Sequence, residues 1–144
     1  MASKLYGQFL SQALNKEIDW DTDTIKVALL TNAYTPNQDT HNYYDDVSSN
    51  EVSGTGYTGG GITLTNKTNT YNGASNVIVL DADDVTWSSS TITARYAVVY
   101  DASPATNATK PLIGYVDFGS DQSSSNGNFT ITWDATGIVR ITVA

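Results

Sequence analysis

The chain has no cysteine, which excludes disulfide staples, thiolate nucleophiles and cysteine-based zinc sites and leaves the redox compartment open. It is also short of charge, with only 15% of its residues Asp, Glu, Lys or Arg. Ser, Thr, Asn and Gly must therefore cover much of the outside, and these residue types suit strands and turns. Basic residues are the scarcer kind: 7 Lys and Arg stand against 15 Asp and Glu, a net charge of −8. They are spread evenly, with 8 acids and 4 bases up to residue 72 and 7 and 3 after it. With no basic arm or patch, no nucleic-acid partner is expected.

Long apolar runs are missing too, so no membrane partner is expected. Gln8, Ser11 and Gln12 interrupt the apolar residues near the N-terminus, where a signal peptide would need a continuous stretch, and the expected place of synthesis is the cytoplasm. A length of 144 residues fits one domain, 1–144, large enough for a single core.

What is present is a change of period. Leu5, Phe9, Ala13 and Leu14 recur at helical spacing, which predicts an N-terminal helix over Ser3–Asn15 with Ser3 as its cap, within residues 1–16. Across the acidic connector Asp19, Asp21, Asp23, anchored by Trp20, the period becomes two. Ile25, Val27 and Leu29 alternate with Thr24, Lys26 and Ala28, as in a half-buried strand. Thr24–Thr31 is followed by an extended loop, a helical turn over Asp39–Val47, and the Gly- and Ser-rich excursion Ser48–Gly61.

Strands are then expected over Ile62–Asn66, Ser75–Leu80, Val85–Trp87, Ile92–Tyr100, Leu112–Phe118, Asn128–Trp133 and Ile138–Val143, with turn clusters between them. Ala94–Tyr100 and Leu112–Phe118 are the most apolar and belong in the centre. The expected fold is mainly β: a single antiparallel β-sandwich or flattened barrel over 24–144, with one N-terminal α-helix. Trp87, Val98, Val116 and Trp133 are its expected core residues.

No catalytic chemistry is expected; the chain does not read as an enzyme. Asp19, Asp21 and Asp23 have the D-x-D-x-D spacing of a calcium loop, but Thr24 and Leu30 stand where that loop needs Gly and Glu. Asp81, Asp83 and Asp84 read as turn residues. No metal and no cofactor is expected. His41 is the only histidine and no G-x-S-x-G elbow accompanies it, so no catalytic residue is expected. Gly54-Thr55-Gly56-Tyr57-Thr58-Gly59 matches G-x-G-x-x-G but neither follows a strand nor opens a helix, which dinucleotide binding requires.

Tyrosine is the one enriched contact residue. Nine are present; Tyr96, Tyr100 and Tyr115 fall in strands, whereas Tyr34, Tyr43, Tyr44 and Tyr57 fall in loops. Loop tyrosines either meet a partner with large rigid area at small entropic cost, or cover the open end of their own domain. On the first alternative Tyr43, Tyr44 and Tyr57 are the candidate protein-contact residues. Leu5 and Phe9 of the expected helix are the rival pair, because its stripe also needs a partner.

Three stretches carry a resemblance: Lys16–Leu30 (KEIDWDTDTIKVALL), Asn50–Tyr57 (NEVSGTGY) and Ala94–Tyr100 (ARYAVVY), with Pro111–Asp121 (PLIGYVDFGSD) in the same pattern. Together they resemble the structural proteins of tailed double-stranded DNA bacteriophage virions, a family that includes capsid decoration (cement) and minor tail proteins. The resemblance implies a cement protein on the outer capsid surface that bridges major capsid subunits and stabilises the mature shell. The implied partners are the major capsid protein and further copies of the chain, as a homotrimer. The alternative implied by the same family is a minor tail or fibre-associated module contacting a host receptor or glycan. No catalytic residue comes with the family.

Overall fold

The second strand of the chain explains the architecture. In Ile25–Leu30 the side chains of Ile25, Val27 and Leu29 enter one apolar cluster, and those of Ala28 and Leu30 enter another on the opposite side. Five of the six residues are 0% exposed, on both faces: Ile25, Val27, Ala28, Leu29 and Leu30. A strand apolar on both faces must be covered on both, and the fold is the answer to that requirement.

The computed structural model describes residues 2–144. In chain order the elements are β1 (Ala2–Leu5), α1 (Phe9–Leu14), β2 (Ile25–Leu30), α2 (Asp45–Ser48), β3 (Ile62–Thr63), β4 (Thr68–Asn72), β5 (Val77–Asp81), β6 (Val85–Ser90), β7 (Thr93–Asp101), β8 (Leu112–Ser123), β9 (Gly127–Ile131) and β10 (Val139–Thr142), with a 3-10 turn at Asn107–Thr109 between β7 and β8. The protein is mainly β, 44% strand and 9% helix, with antiparallel sheets that do not close into a barrel.

A five-stranded sheet has the order β1-β8-β7-β2-β3, and β10-β5-β4 and β6-β9 form two smaller sheets. The apolar stretches expected in the centre, now β7 and β8, lie there. One face of the large sheet packs against the small sheets through Val99, Ile113, Leu80, Trp87, Phe129 and Val139, which makes the sandwich. The other face is covered by Tyr34 from the loop after β2 and by Tyr44 and Val47 at α2.

The N-terminal helix is shorter than its periodicity predicts. Ala2–Leu5 is a strand paired antiparallel with β8, from Ala2 opposite Asp117 to Leu5 opposite Gly114. Ser3 is therefore a ladder residue and not a cap; Gln8 occupies the cap position and makes no side-chain capping bond. The free margin of β8 supplies four residues with hydrogen-bond partners, whereas a helix running through Gly7 gives up roughly 1 kcal/mol there relative to Ala.

Extension also carries Tyr6 into the second cluster, 2% exposed. Of the helical stripe, Phe9 is buried and Leu10 and Leu14 are exposed at 45% and 77%. The expected turn over Asp39–Val47 is displaced to Asp45–Ser48, and Asp46, not Asp39, secures it by accepting from the backbone N–H groups of Asn42 and Tyr43. Strand β4 was not legible: its Thr-Asn-Thr-Tyr-Asn is exposed at all five positions and has no buried face to set a period.

Trp87 and Val98 are buried as expected, at 3% and 0%. Val116 and Trp133 are only partly buried, packed against the margin of the first cluster. Trp133 is held by its backbone N–H to Asp84 Oδ1 at 2.9 Å and its indole N–H to the Asp83 carbonyl at 3.0 Å. Urea unfolding is expected to separate the two indoles: Trp87→Ala costs about 3–5 kcal/mol as a full core truncation, and Trp133→Ala about 1–3 kcal/mol.

Candidate functional site

The second face of the large sheet gathers most of the chain's phenols, and a concave polar site lies at its end. Lys26 and Tyr100 are cross-strand partners on β2 and β7. Lys26 shares the parity of Ala28 and Leu30, so it stands in the row that Tyr44 and Val47 cover further along. Tyr44 stacks on Tyr100, with ring centroids 4.0 Å apart and planes 13° from parallel. Beyond this stack the covering layer ends.

A polar pocket of about 550 Å³ opens at this point, between Lys26, Tyr44, Glu51, Gly60, Tyr100 and Lys110. The Tyr100 hydroxyl donates to the Gly60 carbonyl at 2.8 Å. The Tyr44 hydroxyl is buried and has no hydrogen-bond partner. Burial, with Tyr100 alongside, raises the Tyr44 phenol far above the ordinary range, and burial pushes Tyr100 up to about 12. Both are neutral donors at physiological pH.

The excursion Ser48–Gly61 forms one wall. Glu51 fastens it: its Oε1 accepts from the Tyr57 hydroxyl and from the Gly60 N–H, each at 2.6 Å. Tyr57 in turn accepts from the Leu29 N–H at 3.0 Å and stacks on Trp87. Two glycines of the apparent dinucleotide motif, Gly54 and Gly56, serve this docking. A Cβ on Gly54 would lie 2.5 Å from the Thr91 carbonyl, and Gly54 has φ +153°.

The five candidate contact residues do not converge on one exposed surface. Tyr44 is 3% exposed and Phe9 3%, and Tyr57 is tied to Glu51 and Leu29. Leu5 lies in β1, partly buried against the first cluster. Tyr43 is half-buried, and its hydroxyl reaches Glu17 Oε2 at 3.4 Å. For Tyr34, Tyr44 and Tyr57 the second alternative applies: they cover their own domain. The clue in the sequence was the apolar character of β2 and β7 on both faces, which requires a second covering layer.

The other residues weighed for chemistry have structural duties. Asp19 Oδ1 accepts from the N–H groups of Asp21 and Thr22, while Asp23 Oδ2 accepts from the Asp19 N–H. Asp83 Oδ2 holds Thr65 and Asn66. His41 Nδ1 is bonded to the Tyr34 hydroxyl at 2.9 Å, and Tyr34 to the Tyr6 hydroxyl at 2.8 Å, a chain that satisfies two buried phenols. Among the described residues no three His, Asp or Glu side chains are grouped to hold a metal ion.

A second cavity, about 410 Å³ and mainly apolar, lies where the sandwich opens between β1, β8 and the connection from β9 to β10, with Leu5, Ile113, Trp133 and Val139 in its lining. No known protein family, curated protein or solved structure matches the chain.

One acid is out of place. Asp101, at the end of β7, is 1% exposed; its Oδ1 accepts from the Ser103 N–H at 2.8 Å and its Oδ2 has no partner. Burial, reinforced by the neighbouring Asp23 carboxylate, raises its pKa from 3.8 to about 6. Between those two values the folded chain holds a proton that the unfolded chain has lost. Stability from this group is thus complete below pH 3.8 and lost as pH rises through about 6. Asp101→Asn is expected to raise the unfolding free energy at pH 7.5 by up to about 3 kcal/mol and to flatten its pH dependence between pH 4 and 6.5, measured by urea titration at each pH.

Proposed function

We propose that the chain is a structural protein of a tailed double-stranded DNA phage virion, a capsid decoration (cement) protein on the outer shell. It bridges neighbouring major capsid subunits and associates with its own copies as a trimer. The observation that carries this reading is the bare edge of β4. Edge strands are normally blunted by charge, proline or shortness. Here β1 has Lys4, β10 has Arg140 and β3 is two residues long, while β6 and β9, each with an outer edge and no charge, bury part of their side chains. Strand β4 is five residues, uncharged and without proline, exposed throughout, with Tyr71 at 59%. It makes its main contacts with β5 alone, so its outer ladder is free to extend a sheet in another molecule.

The mechanism on this reading is linkage. A protein that binds only the mature shell stabilises it by its binding free energy, repeated over many copies. The resemblance of the Lys16–Leu30, Asn50–Tyr57 and Ala94–Tyr100 stretches to phage virion proteins supports the same reading, and no catalysis is part of it. One observation favours a second: the polar pocket beside Lys26 suits a tail or fibre-associated module that meets a receptor or glycan.

The test is occupancy on empty mature shells of the encoding virus. Replacing Thr70 and Tyr71 together by Lys is expected to reduce occupancy at least tenfold, about 1.4 kcal/mol, with the thermal transition of the free protein preserved. Unchanged occupancy removes β4 from the interface. A copy number of a handful per particle, in place of hundreds, overturns the cement reading in favour of the tail.

A further inference from the structure

We infer that the pocket between Lys26 and Lys110 is a binding site for a small hydroxylated carboxylate of single negative charge, the chemistry of a sugar acid. The inference is independent of where the protein sits in a virion.

Charge is the first argument. The chain has more than twice as many acids as bases, yet two of its seven basic side chains line this one pocket. The only ion pair among the described residues is Arg95–Asp117 on the far part of the sheet. Neither Lys26 nor Lys110 therefore has a carboxylate within 4.0 Å, despite 15 acids in the chain. Lys110 Nζ bonds the Asn107 side-chain oxygen at 3.1 Å, which holds it at the rim. Two ammonium groups around a partly enclosed polar pocket make an anion subsite whose counter-charge the protein supplies only in part, through Glu51.

The second argument is the open floor. Tyr44 and Tyr100 back the pocket with rings that are 3% and 1% exposed. Gly60 leaves the space open: a Cβ there would come within 3.3 Å of the Tyr100 hydroxyl and 3.8 Å of Lys26 Nζ. A side chain at this position would fill the floor between the two groups.

The ligand class follows from the sum. Glu51 also lines the pocket, so two ammonium groups and one carboxylate leave a single positive charge, which matches a mono-anion better than a phosphate dianion. Thr24, Glu51, Ser103 and Asn107 offer acceptors and donors for hydroxyls. Tyr44 and Tyr100 stack on each other and leave no open aromatic face for a flat apolar ring. A volume of about 550 Å³ accommodates one or two sugar rings.

The experiment is an amide-resonance titration of the intact protein with D-glucuronate, D-glucose and inorganic phosphate. Saturable shifts at Lys26, Gly59, Gly60 and Tyr100 are expected with glucuronate and not with glucose. Lys110→Gln, on a surface turn, and Lys26→Met should each weaken the affinity about tenfold, the scale of one charge-assisted hydrogen bond. The inference is overturned if glucose shifts the same amides as strongly, if phosphate binds as tightly as glucuronate, or if a folded Lys110→Gln protein binds undiminished. Absence of saturation with glucuronate overturns it as well. Shell occupancy is a separate measurement, so loss of this site leaves the capsid reading standing.

Discussion

The constraint on which the structure depends is that its central strands are apolar on both faces. Burial of apolar surface is the main favourable term in folding, at about 25 cal/mol per Å², and β2 and β7 present such surface in two directions. The small sheets cover one direction in the ordinary manner of a sandwich. The other is covered by tyrosines and one valine from the loop region Tyr34–Val47. Phenols suit this second task because each buries a large ring and keeps a polar tip. The tips are met within the layer: Tyr6 by Tyr34, Tyr34 by His41, Tyr100 by Gly60. Tyr44 is the exception, and it stands where the layer gives way to the pocket.

The parts of the fold that follow from a two-residue period were legible in the residues. The central position of Ala94–Tyr100, the burial of Trp87 and the antiparallel sandwich all come from alternation that one face of a sheet imposes. What did not follow from period was misplaced. Leu5 and Phe9 are four apart, and that spacing served equally well for a strand end followed by a separate short helix. Nothing within the segment distinguishes the two; the open margin of β8, more than a hundred residues away, decides it. Strand β4 has no buried face and hence no period to detect.

The candidate site was legible only in fragments. Tyr57 and Tyr44 stood out by number and by position in loops, but their direction depends on Glu51 and on β2, which sequence spacing does not connect. Lys26 looked like the polar member of a half-buried strand. Its pairing with Tyr100 and its place opposite Lys110 arise from the strand order β7-β2 and from the turn before β8, both of them products of the whole topology.

The close approach of the Ser48–Gly61 excursion to β2 also limits how the chain can vary. At Gly61, with φ +77°, an added Cβ would lie 1.9 Å from the Val27 carbonyl oxygen, a separation no relaxation of the central strand could absorb. Gly59, two residues earlier, would meet nothing within 4 Å. The same loop therefore contains one position closed to every other amino acid and one open to most of them. Over evolutionary time the tip can change its chemistry freely, while the point where it is pinned to the sheet cannot move.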